Sequence, residues 1–148
     1  MAKLLVGLVL GLYLAACGNF ERDNPYDPKG GGITDFTALL VGTWSRVDAE
    51  KNQVYTFKED GRVELRDYTS AGGGAIDRNA SYPQTLVLSF TGTYILVGDL
   101  LRINFTAVQT NNPAGQAPSL RDKQVNIRIR GNALTLAELD GDRLYTRI

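Results

Sequence analysis

Eight segments of the chain alternate apolar with polar side chains at a period of two, and strands of a sheet that is dry on one face and wet on the other satisfy that pattern. In "RVELR", Val63 and Leu65 stand against Arg62, Glu64 and Arg66; in "LRINF", Leu101, Ile103 and Phe105 stand against Arg102 and Asn104. Val125, Ile127 and Ile129 repeat the pattern against Asn126, Arg128 and Arg130. The strands are predicted at 43–48, 53–58, 62–69, 85–97, 100–108, 123–130, 133–139 and 143–148. The fourth, "TLVLSFTGTYILV", keeps its apolar phase through Leu86, Leu88, Phe90, Tyr94 and Leu96, so it reads as one strand bent at Gly92.

Connection lengths arrange these strands. "EDG" (59–61), "GD" (98–99) and "GN" (131–132) are tight turns suited to hairpins. The stretches 70–84 and 109–122 are long and rich in Gly, Pro and polar residues. In an up-and-down meander the two long loops share one end and the tight turns the other, so the predicted shape is a cup with a loop-framed mouth. "TDFTALLVG" offers Thr34 or Asp35 as an N-cap and Gly42 as a stop, giving one or two helical turns over 35–41 at the narrow end. The fold class is therefore all-β: an eight-stranded antiparallel up-and-down barrel with a short N-terminal helix at its closed end. Such a barrel has no unpaired edges, and its interior is either filled by side chains or holds one small ligand. Tyr55, Phe57, Leu65, Phe90, Tyr94, Ile103, Phe105 and Ile127 are the candidate pocket residues, with Tyr55 and Tyr94 as polar handles. Their other reading is plain core.

Ahead of the strands lies a different kind of segment. A basic start (Met1-Ala2-Lys3), the uncharged run Leu4 to Leu14 and the small pair Ala15-Ala16 precede Cys17, the single cysteine. That is the layout of a secretory signal over 1–16, and eleven apolar residues are too few for a transmembrane helix. "LAAC" resembles the lipobox of bacterial lipoproteins. The resemblance implies cleavage before Cys17, acylation of that residue and attachment to a membrane in the bacterial cell envelope. With several chains on Cys17 the anchor would be stable, since one chain alone binds only marginally. Gly18 and Asn19 are not acidic, which in that family implies the outer membrane. The alternative is an ordinary secretory signal beside a chance cysteine. Residues 17–33, "CGNFERDNPYDPKGGGI", combine two prolines with a glycine triplet and read as a flexible tether; "RDNPYDPKG" resembles other lipoprotein tethers. The folded domain is predicted over 34–148.

Composition narrows the chemistry. Losing Lys3 with the signal leaves 15 basic and 16 acidic side chains, a balance with no bias toward nucleic acid. With no histidine and one cysteine, the Ser-His-Asp and Cys-His nucleophile systems and the usual zinc ligand sets are excluded. Asp60, Asp99, Asp140 and Asp142 stand beside glycines, where a carboxylate satisfies its own turn backbone. "DGD" at 140–142 lacks the other ligands of a calcium loop, and "GGG" at 72–74 lacks the strand-to-helix setting of a phosphate cradle. No enzyme activity, cofactor or metal is expected.

"VGTW", with Gly42-x-Trp44 after a short helix, is similar to the lipocalin Gly-x-Trp at the start of the first strand. In that group an arginine of the last strand lies over the tryptophan, and Arg147 in "LYTRI" is the matching residue. "VYTFKEDGRVEL" and "GTYILVGDLLRI" also resemble lipocalin-like domains of bacterial lipoproteins. The likeness spans about residues 36–148 and implies barrel closure by Trp44 and Arg147. It leaves two roles open: a tethered binding module for a small apolar or amphipathic ligand, or a packed structural module that meets an envelope protein.

Overall fold

The computed structural model describes residues 36–49, 51–70, 74, 76–115 and 117–148. The predicted signal segment, Cys17, the predicted tether and the candidate caps Thr34 and Asp35 lie outside the described residues. One turn of helix, α1 (Phe36–Leu40), leads into β1 (Gly42–Val47), β2 (Asn52–Phe57), β3 (Arg62–Ser70), β4 (Thr85–Val97), β5 (Leu100–Thr110), β6 (Lys123–Arg130), β7 (Ala133–Glu138) and β8 (Gly141–Arg147). Strands pair antiparallel in sequence order and β1 closes on β8, giving an eight-stranded up-and-down barrel.

Two registers depart from simple alternation. In β5 the pairing with β4 slips between Thr91 and Gly92: Thr91 faces Ala107 and Gly92 faces Phe105, so Thr106 is an extra residue in β5. The bulge restores Val108 to the same phase as Phe90, its partner, although Phe105 lies three positions earlier. The β5–β6 ladder is short, running only from Leu100↔Asn126 to Ile103↔Lys123. Beyond that point β5 continues toward the mouth without β6.

The narrow half of the barrel is filled. Trp44, Phe57, Val63, Tyr94, Leu101, Ile103, Val125, Ile127, Leu134 and Leu136 are buried there, and Leu40 of α1 is buried with them. Phe57 meets Tyr94 edge-on at 5.2 Å. Each large side chain so buried contributes about 1.5–3 kcal/mol. Core and ladders are complete within Asp35–Ile148, which forms one compact unit of a size that buries its own core. The barrel is thus a self-contained folding unit.

The long loops behave differently from one another. Residues 76–79 of the first loop lie against the outer wall, while Tyr82 donates from its hydroxyl to Asn112 Oδ1 of the second loop at 3.0 Å. Arg78 reaches two outward-facing residues, donating from Nε to Asn52 Oδ1 at 2.6 Å and from Nη2 to Ser45 Oγ. Its guanidinium lies 5.8 Å from the Tyr68 ring, and Asn52 Nδ2 donates to the Ile76 carbonyl at 2.7 Å. Buried Asn52 is therefore satisfied by this loop, which is why the loop is held down. The second loop turns inward.

Candidate functional site

At the mouth the barrel opens into a cavity of about 550 Å³. Its apolar part comes from Tyr55, Leu65, Phe90 and Phe105, and the second loop adds Pro118, Ser119, Arg121 and Asp122 to its rim. Phe90 and Phe105 pack ring to ring at 5.5 Å, and Tyr55 stacks on Phe57 at 5.5 Å below. The aromatic floor is continuous with the packed half.

Above that floor the inward positions turn polar on strand after strand. β1 places Arg46 above Trp44, β2 Gln53 above Tyr55, and β3 Asp67 above Leu65. β6, β7 and β8 supply Lys123, Glu138 and Arg143, and all six residues line the cavity. These groups are wired together. Tyr145 donates to Gln53 Oε1 at 2.9 Å, and Gln53 Nε2 donates to Asp67 Oδ2 at 2.9 Å. Lys51 Nζ stands 3.4 Å from the same oxygen. Lys123 pairs with Glu138 and lies 3.5 Å from the Tyr55 hydroxyl; Arg143 pairs with Asp140 and stands 3.6 Å from Glu138. Arg46 is held by Asp48.

Burial sets the electrostatics of the tyrosines. It pushes the Tyr55 hydroxyl far above its ordinary value, with Glu138 and Asp67 reinforcing the shift, and does the same to Tyr145. Both remain neutral: Tyr145 donates to Gln53, and Tyr55 accepts from Lys123. Asp67 is 8 % exposed, and its Oδ1 is buried with no hydrogen-bond partner among the described residues.

The sequence-based candidates divide by height. Tyr55, Leu65, Phe90 and Phe105 line the mouth cavity. Phe57 and Ile127 are in the packed half beneath it. Tyr94 and Ile103 also belong to that core and touch a separate groove of about 280 Å³ where the β5–β6 ladder stops. Tyr94 is not a handle in the mouth: its hydroxyl donates to the Lys58 carbonyl, 2.8 Å away in the β2–β3 turn at the narrow end. Trp44 and Arg147 pair across β1 and β8, with the guanidinium 4.2 Å from the indole ring. Arg147 donates to the carbonyls of Leu39 and Val41, and Trp44 Nε1 donates to that of Leu40 at 2.7 Å. One aromatic and one cation therefore fasten the end of α1 to the seam. Among the described residues no three His, Cys, Asp or Glu side chains converge as a metal ligand set.

The polar ring was missed by sequence reasoning, although its signal was present: the inward phase of six strands changes from apolar to polar at the same height, to a charge on five of them and to Gln53 on β2. No family model, curated protein or solved structure matches the chain.

Proposed function

We propose that this chain is a membrane-tethered binding module whose barrel, lipocalin-like in its Gly42-x-Trp44 and Arg147, holds one small amphipathic molecule in the mouth. The observation that carries the reading is the cavity of about 550 Å³, inside the range of ligand pockets, with an aromatic floor and a charged wall. A molecule with an apolar stem and a polar head matches both surfaces. Cys17, in a lipobox-like "LAAC", would supply the membrane anchor through a diacylglyceryl group on its sulfur and an acyl chain on its amino nitrogen.

The test is equilibrium titration of the soluble chain starting at Ile33 with a polarity-sensitive apolar dye. The expected isotherm is saturable with one site. The packed narrow half favours a second reading, a solid module that meets an envelope protein through its outer surface. A strictly linear dye response from a folded domain selects that alternative. For the anchor, labelled fatty acid is expected on the full chain and absent from Cys17→Ser; label on the variant overturns acylation at this residue.

A further inference from the structure

We infer that the mouth cavity selects a ligand whose head is a primary ammonium, seated on the Asp67 carboxylate. This rests on the binding reading above and specifies its substrate class.

The argument begins with how the charges in the cavity are compensated. Glu138 faces two cations, Lys123 and Arg143, and Arg143 also holds Asp140. Arg46 is engaged by Asp48. That part of the wall is closed among its own members. Asp67 has less: a neutral amide from Gln53 and one ammonium, Lys51, at 3.4 Å, both on Oδ2. Its other oxygen is the sole buried side-chain N or O atom among the described residues that lacks a partner. A buried carboxylate oxygen is an acceptor only, so what it lacks is a donor. An anionic head would bring a further acceptor to an inner wall whose cations Arg46, Lys123 and Arg143 are already engaged, leaving it Arg121 on the rim.

Lys51 shows how the donor would enter. It stands in the short β1–β2 connection, its side chain is 42 % exposed, and at 3.4 Å it is a loose partner. A ligand ammonium that displaces Lys51 Nζ brings three donors to the same carboxylate. Beneath it, Leu65 precedes Asp67 on the inward face of β3 and pairs with Phe90 on β4. The stem of such a ligand would lie over Leu65, Phe90 and Phe105, which form the apolar part of the same cavity.

The experiment uses the soluble chain from Ile33, checked for folding by its thermal transition. Three competitors with one tail length displace the dye at neutral pH: octylammonium, octanoate and octanol. Octylammonium is expected to bind at least about tenfold tighter than either of the others, the lower end of what a hydrogen bond to a charged group is worth. Asp67→Asn is expected to weaken octylammonium about 10- to 100-fold and to narrow its advantage over octanol to within about twofold. Lys51→Met removes the competing cation and is expected to tighten octylammonium several-fold, which a merely structural Lys51 would not do. Octanoate or octanol binding as well as octylammonium overturns the inference while leaving a binding module in place. So does an Asp67→Asn protein with unchanged ammonium affinity, or a Lys51→Met protein with weakened affinity. A folded domain that binds neither dye nor competitor removes the binding reading, and this inference with it.

Discussion

Arg147 does three jobs with one side chain, and each depends on the residue opposite. Its guanidinium covers the Trp44 ring at 4.2 Å, while its N–H groups satisfy the Leu39 and Val41 carbonyls at the end of α1. A one-turn helix cannot sustain itself in water, so these tertiary bonds fix it. Gly42 makes room for them: it sits at φ 135°, and a Cβ there would come within 2.5 Å of Arg147 Nη1. Trp44→Ala is expected to cost about 3–5 kcal/mol as a large core truncation. Arg147→Ala is expected to cost about 1–3 kcal/mol through its lost hydrogen bonds and cation–π contact. Because the two side chains touch, the double variant should lose less than the sum by at least about 0.5 kcal/mol in denaturant unfolding. Strict additivity would show that the contact carries no energy. Arg147→Lys should recover only part of the loss, since an ammonium lacks the fork that reaches two carbonyls.

Among elements, β4 and β5 show where alternation is a sufficient guide and where it fails. The inward phase of β4 runs unbroken through Gly92, so its thirteen residues were legible as one strand. The bulge at Thr106 was not, because an extra residue changes phase only through pairing, and "FTAVQT" has no periodicity that announces it. Gly92 stands at that slip, where a Cβ would lie 2.0 Å from the Asn104 carbonyl oxygen and 2.8 Å from Phe105 Cα. Gly92→Ala is expected to destabilise by about 3 kcal/mol, since backbone must move to admit it. The same contrast separates the loops. Residues 109–122 could be placed at the mouth from strand parity alone, but the docking of 76–79 depends on Arg78 finding Ser45 and Asn52, which are 33 and 26 positions away in sequence. No local pattern encodes that meeting. Arg78→Ala should therefore lower the thermal midpoint by the equivalent of about 1–3 kcal/mol, leaving Asn52 short of a donor, with dye affinity unchanged. Substitution of Ser119 by a bulky residue should do the reverse, reducing affinity with little change in the midpoint. Equal effects of both changes on affinity would mean that the first loop also reaches the cavity.

For the whole molecule, the barrel is two compartments on one sheet, a sealed apolar half and a wet charged half, with Tyr55 and Tyr145 at their boundary. Their rings meet edge-on at 5.5 Å. Burial raises the hydroxyls of both, and that of Tyr94 in the sealed half, above the ordinary value near 10. The sign of the linkage follows. Below about pH 10 the hydroxyls are neutral in folded and unfolded chains alike, and the tyrosines contribute no pH dependence. Above it the unfolded chain releases these protons while the folded barrel keeps them, so the unfolded state binds fewer protons and stability falls with rising pH. The loss continues until the folded hydroxyls themselves ionise, which would place phenolate charge between Glu138 and Asp67. Thermal midpoints measured between neutrality and strong alkali should therefore hold steady and then decline from about pH 10. Tyr55→Phe removes one of the titrating groups, so its decline should be shallower than that of the parent, even though the variant loses the contact with Lys123 at neutral pH. Parallel declines in the two proteins would show that Tyr55 is not the group whose neutrality the boundary protects.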